Sequence, residues 1–369
     1  MGTDPRSGDS PHFPPTLRSL CLFLVVAAAL GLVSFNRRVR TRLELGYFAR
    51  EKRWAPVLER ARRLPSALYD PLAMHDVNRA LYHMGRLPDE MFAYPQTAES
   101  DSLFLSSLRS QAWRPTYLKS SVLFFEMGLV NVAQRSAHVA LEAYGELPEI
   151  VKLLVRINVL KDRPDTARRF LATLRSNPLC RKWAEDYRQR LDADPTMKSD
   201  GELERVRPLM VTREFGWEAV QAGARYEKML KLLMEANPKN RMAFEYLMAH
   251  YLLTKQLDKV VSSIARLNDF DYPGIPRYYE EAIVLYEGAH PDRKVNLHGR
   301  RISSETRQRF RDYARYYVPY HVARGTKKRE AFETLRTRCG DSYFFYYTSN
   351  FSVRRVTPGY VDVITGATR

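Results

Sequence analysis

The stretch Leu123–Leu174, LFFEMGLVNVAQRSAHVALEAYGELPEIVKLLVRINVLKDRPDTARRFLATL, decides the fold. When this stretch is compared with itself at a shift of 34 residues, apolar and small residues fall on one another. The matched pairs are Leu123 with Ile157, Phe125 with Val159, Ala133 with Ala167, Ala137 with Leu171 and Ala140 with Leu174. This shift is the tetratricopeptide period, and small residues at matched positions let two antiparallel helices approach closely. The stretch therefore predicts paired antiparallel helices.

Helical spacing of apolar residues extends to both sides of this stretch. It predicts tetratricopeptide-like helical repeats over residues 43–340, about five to seven helical pairs in an α-solenoid. The pattern is lost near residues 192–215, which are polar and contain Pro195, Gly201 and Pro208. These residues predict either an ordered loop or a joint between two sub-solenoids.

Two short segments predict turns between helices. Gly85, which follows His83 and Met84, can adopt the left-handed conformation that commonly ends a helix. Thr254–Leu257 separates two apolar helices, which the spacing predicts at Met242–Leu253 and Asp258–Leu267.

The N-terminal region predicts a leader and a membrane anchor. Residues 1–16 are rich in Gly, Ser, Asp and Pro and predict a disordered leader. Leu20–Phe35 carries no charged residue, and we predict an uncleaved transmembrane helix over residues 17–36. A cleaved signal peptide is the alternative, because Ala27–Ala29 offers small residues, but the apolar run continues past them. The predicted fold class is all-α, with a single N-terminal transmembrane helix followed by a tetratricopeptide-like α-solenoid.

The C-terminal tail contains the one stretch that points to redox chemistry. Asp362, Thr365, Gly366, Ala367 and Thr368 form the pattern Asp-x-x-Thr-Gly-Ala-Thr, which resembles the acceptor sequence for covalent flavin attachment in bacterial flavoproteins. The resemblance implies FMN bound to Thr368 through a phosphoester, with Asp362 helping to position metal or phosphate. Gly366 and Ala367 leave the backbone beside that hydroxyl unobstructed. The alternatives are a disordered C-terminus or the first residues of a truncated domain.

Elsewhere the sequence offers no catalytic motif. It contains no P-loop, no G-x-S-x-G and no H-E-x-x-H, and its three cysteines form no C-x-x-C pair. The chain is therefore predicted not to be an enzyme and to hold no metal. Glu245, Glu280 and Glu281 lie on or beside apolar helices, where paired carboxylates could do acid–base chemistry. In a chain of net charge +17 we favour ion pairs with arginines of neighbouring helices.

An aromatic run, Tyr343–Tyr347, follows the predicted repeats and joins Tyr313, Tyr316, Tyr317 and Tyr320 as an aromatic cluster. Such rings could stack on a flat ligand. We favour a structural role, because the open end of a helical array needs a cap. Residues 341–369 are thus predicted to be an aromatic cap and a flexible tail.

Several phrases of the chain are similar to the soluble C-terminal part of an uncharacterised family of bacterial multi-spanning membrane proteins. These phrases are Asn78–Phe92, Gly128–Arg135, Asn240–Ala249, Tyr279–Ala282 and Gly340–Tyr347. The resemblance covers roughly residues 36–350 and implies membrane association and a helical-repeat domain, with no known activity. The chain departs from that family in having a single candidate span.

The predicted location is the bacterial inner membrane, with one pass through residues 17–36. Four arginines follow the span, at Arg37, Arg38, Arg40 and Arg42, and favour a cytoplasmic body. The flavin-like tail favours the opposite side. We expect a scaffold that binds protein partners in its solenoid groove, or alternatively an electron-transfer component that carries FMN on Thr368. A third option is an accessory to a membrane-embedded enzyme, which would replace the missing spans of the longer family members. Nucleic acid is not an expected partner, because no dense Lys/Arg run with interleaved aromatics accompanies the positive charge.

Overall fold

The computed structural model describes residues 19–20, 22–27, 37–64, 69–105, 116–211 and 224–349. The predicted leader, most of the predicted transmembrane segment 17–36 and the whole tail from residue 350 lie outside these ranges. Within the described ranges, no helix is both long enough and apolar enough to cross a membrane.

The described chain is all-helical, which confirms the all-α class. Its first helices are α1 Arg37–Arg50, α2 Trp54–Arg62, α3 Pro71–His83, α4 Leu87–Glu90, α5 Asp101–Phe104, α6 Thr116–Glu126, α7 Val130–Tyr144, α8 Pro148–Leu160, α9 Pro164–Arg175, α10 Arg181–Ala193 and α11 Gly201–Val206. The later ones are α12 Ala224–Ala236, α13 Arg241–Leu253, α14 Leu257–Ser263, α15 Arg277–Ala289, α16 Ser304–Val322, α17 Gly325–Cys339 and α18 Tyr343–Thr348. Short 3-10 helices lie at Met91–Ala93, Arg207–Leu209 and Ile264–Phe270.

Helices that follow one another in the chain pack against one another. The most extensive contacts join α6 to α7 and α8 to α9, the two pairs that the 34-residue comparison predicts. The matched small residues Ala133, Ala137 and Ala167 are completely buried at these contacts. Later in the chain, α12 packs on α13, α14 on α15 and α16 on α17. Short side chains thus occupy the positions where helices approach closely.

Five of the turns between helices share one backbone conformation. Each has a residue with positive φ: Lys52, Gly85, Gly128, Asp162 and Lys255. In each, the next amide donates to a carbonyl five residues back, at 2.8 to 2.9 Å, as in a Schellman motif. The left-handed conformation predicted for Gly85 is confirmed, with φ of 68°. The predicted separation at Thr254–Leu257 is confirmed as well.

Side-chain caps fix the start of the two helices that matter most for the site. Asp70 accepts a hydrogen bond from the Ala73 amide at 2.8 Å, just before Pro71 opens α3. Asn240 accepts from the Ala243 amide at 3.1 Å and opens α13. The amide group of the same Asn240 donates to the Met127 carbonyl at 3.0 Å. This bond ties the start of α13 to the turn after α6.

The polar segment near residues 192–215 packs onto the α6–α7 turn as far as Val211, the last residue described before α12. Met197 and Leu203 are completely buried. The Val211 amide donates to the Gly128 carbonyl at 3.2 Å. Leu209 lies so close that a Cβ on Gly128 would stand 2.1 Å from the Leu209 carbonyl oxygen. The segment therefore touches the core and places α11 beside this turn.

The aromatic run belongs to the core. Its helix, α18, packs against α15, α16 and α17, and Tyr343 and Phe344 are completely buried. The Phe92 ring, from the N-terminal half, lies 4.7 Å from the Tyr346 ring. The Tyr346 hydroxyl donates to the Leu253 carbonyl at 2.9 Å. These contacts support the structural interpretation of the cluster over a ligand platform.

Candidate functional site

A cavity of about 340 Å³ opens where three of the five Schellman turns meet the α11 segment and the start of α13. We call it the turn cleft. Its polar lining is Lys52, Tyr82, His83, Glu126, Glu202, Arg205 and Arg241. Gly85, Val206, Leu209 and Met242 complete it. Cavities of this size are within the range that small ligands or inserted side chains occupy.

The floor of the turn cleft is a buried ion pair. Glu126, the last residue of α6, accepts two hydrogen bonds from the Arg79 guanidinium, at 2.7 and 2.6 Å. His83 Nε2 lies 3.2 Å from Glu126 Oε2, the oxygen that also accepts from Arg79 Nε. Burial raises the pKa of Glu126, but Arg79 and His83 outweigh it and hold that pKa well below its usual value. The Glu126 carboxylate is therefore ionised, and the Arg79 guanidinium balances its charge.

Trp54 packs beside the floor and contacts both His83 and Arg79. Its ring stacks on His83 at 4.4 Å with an interplanar angle of 8°, and the Arg79 guanidinium lies 4.9 Å from the Trp54 ring centroid. Trp54 is the first residue of α2, directly after the Schellman turn at Lys52. The turn geometry thus determines where the indole stands, and the indole fixes the plane of the imidazole.

One wall of the turn cleft is a carboxylate bridged by two cations. Glu202 on α11 pairs with Lys52 at 2.6 Å and with Arg156 at 3.4 Å. Lys52 comes from the α1–α2 turn and Arg156 from α8. The bridge therefore holds α11 against two helices that precede it in the chain.

Two arginines also line the cleft, Arg241 on α13 and Arg205 on α11. Arg241 bonds Glu245 through Nε at 2.7 Å, and the Tyr272 hydroxyl donates to the same Glu245 oxygen at 2.6 Å. Arg205, an exposed residue of α11, donates from Nε to the Gly201 carbonyl at 3.1 Å. Across the part of the chain that the structure describes, Arg205 has no carboxylate partner. Its terminal nitrogens are therefore available at the opening.

The Tyr82 phenol also lines the turn cleft. Burial, followed by Glu245, raises its pKa, while Arg241 and Arg205 act in the opposite direction. Both arginines are therefore close enough to act electrostatically on the hydroxyl, which stays neutral. No described residue forms a hydrogen bond with that hydroxyl.

The carboxylates singled out in the sequence are structural joints. Glu281 bonds Arg277 at 2.9 Å and accepts from the Tyr343 amide at 2.6 Å. The expected arginines of neighbouring helices are not the close partners, because Arg277 and Arg241 each lie four residues away on the same helix as the carboxylate they bond. Glu280 has no arginine partner, and it accepts from the Ser303 amide and from two hydroxyls at the start of α16. The unpaired backbone amides at the start of a helix can satisfy a buried carboxylate in place of an arginine.

The predicted flavin-acceptor residues of the tail, Asp362, Thr365, Gly366, Ala367 and Thr368, lie outside the described residues. Within the described ranges no three His, Cys, Asp or Glu side chains come together as metal ligands would. The two cysteines of the helical body are unbonded and buried.

Sequence reasoning did not find the turn cleft, because its walls come from positions far apart in the chain. Lys52, Glu126 and Arg241 lie on separate helical pairs, and tertiary packing alone brings them together. One signal was available: Lys52 and Gly85 each lie two residues after the end of a helix, so they occupy equivalent positions in the α1–α2 and α3–α4 turns.

In the part of the chain that the structure describes, fold and site define an all-helical protein whose consecutive helices pack together, with a polar cleft over a buried ion pair. A family model described as a family of unknown function (DUF6057) matches residues 12–350. The chain belongs to this family. No curated protein and no solved structure matches it.

Proposed function

We propose that the chain is a membrane-anchored, tetratricopeptide-like helical-repeat module that binds a protein partner and has no catalytic activity. The observation that carries this proposal is the recurrence of the Schellman turn at five helix ends. Repeated helical hairpins stack so that each buries the apolar face of its neighbour, and such arrays present extended binding surfaces. The buried carboxylates support the same view, because their oxygens hold helices together.

The proposed anchor is the apolar segment within residues 17–36. In this arrangement α1, which begins at Arg37, leaves the bacterial inner membrane directly. The arginines that open α1 favour a cytoplasmic body. Membrane pellets washed with carbonate test the anchor: the full chain stays in the pellet, and a chain lacking residues 17–36 is released. A reporter fused after Arg369 tests the side, and periplasmic reporter activity would reverse the assignment.

We propose that the partner contacts the solenoid groove at the turn cleft. Photo-crosslinking in cells tests this, with p-benzoylphenylalanine in place of Met84, an exposed residue between the lining residues His83 and Gly85. The matched control replaces Arg169, an exposed residue of α9. The expected result is one discrete crosslinked species from position 84 that is missing from position 169. Equal products from both positions, or none from either, would contradict a binding role for this face.

A second candidate function is electron transfer by FMN bound covalently to Thr368. Its support is the tail pattern from Asp362 to Thr368, with Gly366 and Ala367 beside the hydroxyl. The test is co-expression with an exported flavin transferase, followed by in-gel flavin fluorescence after denaturation. Thr368→Ala should abolish the fluorescent band and Thr365→Ala should retain it. A dark band from the intact chain would refute this candidate.

A further inference from the structure

The charges that line the turn cleft do not cancel. Both lining carboxylates are neutralised from behind the wall, Glu126 by Arg79 and Glu202 by Arg156. Lys52 adds a second cation to Glu202. Arg241 is balanced by Glu245. The lining residues and these partners together comprise five cations and three carboxylates, and Arg205 is the cation that has no carboxylate partner among the described residues.

Three groups at the opening have unused hydrogen-bond donors. Arg205 donates to the Gly201 carbonyl from Nε, and no described residue accepts from its terminal nitrogens. Arg241 donates to Glu245 from Nε, and its guanidinium also contacts Tyr272, whose ring centroid lies 4.7 Å away. The Tyr82 hydroxyl is likewise unbonded within the described ranges and lies in the field of both guanidinia. Guanidinium terminal nitrogens match the paired oxygens of a carboxylate or phosphate.

The backbone around the turn cleft does not oppose an anion strongly. α1, α3 and α6 end here, and helix ends carry partial negative charge. However, the Schellman bonds occupy the Phe48, Leu81 and Phe124 carbonyls. The first turn of α13, which carries Arg241 and Met242 at the wall, contributes the positive end of its dipole.

We propose that the turn cleft binds one oxyanion group, a carboxylate or a phosphate, held by Arg205, Arg241 and the Tyr82 hydroxyl. The inference deepens the proposed binding role and rests on it, because it names the chemical group that the partner or a small ligand inserts. The His83–Trp54 stack over the buried Arg79–Glu126 pair provides the rigid base beneath that group. Preorganised donors of this kind lower the ordering cost of binding.

The stacked indole supplies the readout. Tryptophan emission of the full chain is titrated at constant ionic strength with inorganic phosphate, succinate or the peptide acetyl-tetraglutamate-amide, with sodium chloride as the reference salt. The expected result is a saturable change with at least one probe that disappears in Trp54→Phe. Arg205→Ala should weaken the affinity by about tenfold or more, because it removes hydrogen bonds to a charged group. Arg169→Ala, the same charge change on α9, should leave the affinity unaltered.

The arms of the titration separate the sources of the anion. Saturation by phosphate or succinate identifies a free small anion, and saturation by the peptide alone identifies an acidic segment of a protein. No saturable change with any probe would overturn the inference, and so would equal weakening by Arg205→Ala and Arg169→Ala. Tyr82→Phe provides an independent variant, with an expected loss of about threefold to tenfold. The photo-crosslinking result does not depend on ligand charge, so a failure of the oxyanion inference is distinguishable from a failure of the proposed binding role.

Discussion

Two buried carboxylates beside arginines behave in opposite ways in the two halves of the molecule. In the floor of the turn cleft, Glu126 meets Arg79 in a two-bond pair, and its pKa falls. In the C-terminal half, Glu281 is completely buried and lies near Arg277 and Arg309, yet burial raises its pKa. We call the second region, built from α15, α16 and α18, the C-terminal joint.

The difference shows that geometry, and not the presence of an arginine, decides the state of a buried carboxylate. Arg79 is itself almost fully buried, and its guanidinium donates two hydrogen bonds to Glu126. Arg277 is shared between Glu281 and the exposed Asp341, and Arg309 stands 3.7 Å from Glu281. A pair repays its desolvation only when the bonds are well made. In the floor, Glu126 therefore forms an ion pair in which the carboxylate is charged. In the C-terminal joint, Glu281 connects the helices mainly through hydrogen bonds.

Breaking the floor pair should have the largest effect. Arg79→Ala leaves the buried Glu126 carboxylate without its arginine and with His83 as its remaining partner, which costs about 3–5 kcal/mol of unfolding free energy. Guanidinium unfolding followed by circular dichroism measures it. The control, Arg188→Ala, breaks an exposed pair with Asp192 and should cost under about 1 kcal/mol.

A double variant sharpens this result. Arg79→Met combined with Glu126→Leu removes both charges and should recover most of the loss, because apolar residues can replace a buried pair. Similar losses of unfolding free energy in Arg79→Ala and Arg188→Ala would show that the Arg79–Glu126 pair contributes no more to stability than an exposed ion pair.

The turn that follows the floor gives the next largest effect. Gly128→Ala forces a side chain into φ of 90° and against the Leu209 carbonyl, so we expect a loss of about 2–3 kcal/mol. Gly85→Ala also places a side chain on a residue with positive φ, here 68°, but no atom lies within 4 Å of the added Cβ. We therefore expect a loss of about 1 kcal/mol of unfolding free energy. The same unfolding measurement compares them. Equal losses of unfolding free energy would mean that Leu209 moves aside at little cost and that its contact with Gly128 does not stabilise the turn.

The two carboxylates should also differ in the sign of their pH dependence. Because the folded state lowers the pKa of Glu126 from its ordinary value of 4.5, its contribution to stability is present above that value and is lost as the pH falls. Because the folded state raises the pKa of Glu281, its contribution is present below 4.5 and is lost as the pH rises. A tenfold difference in acid dissociation constant between the folded and unfolded states corresponds to about 1.4 kcal/mol of unfolding free energy.

Glutamine variants measured below and above pH 4.5 test these signs. The advantage of the wild type over Glu126→Gln should shrink on acidification. Its advantage over Glu281→Gln should shrink as the pH rises. Parallel pH profiles for the two variants would erase the distinction between the floor and the C-terminal joint.

Local features of this fold were predictable from the sequence. The helix pairs α6–α7 and α8–α9, the turn at Gly85 and the separation at Thr254 follow from spacing and from turn chemistry within a few residues. The structural role of Glu281 was predictable too, because a carboxylate on an apolar helix needs a partner.

The turn cleft was not predictable in the same way. Arg79 and Glu126 are 47 positions apart, and no local pattern marks either as the partner of the other. Arg205 reaches the site because a polar segment packs on the α6–α7 turn, where the sequence indicated a loop or a joint. The Ser303 and Thr306 partners of Glu280 also depend on the start of a later helix.

Two tyrosines give the finest comparison, because they differ in one hydrogen bond. In the C-terminal joint, the Tyr346 hydroxyl donates to the Leu253 carbonyl, and Tyr346→Phe should cost about 1 kcal/mol. Near the floor, the Tyr246 hydroxyl is buried and has no hydrogen-bond partner in the described part of the chain. Tyr246→Phe removes a desolvated group that gains nothing in return, so unfolding free energy should stay level or rise by up to about 1 kcal/mol. A loss at Tyr246 as large as that at Tyr346 would mean that the hydroxyl contributes to the floor pair, whose charges already act on it.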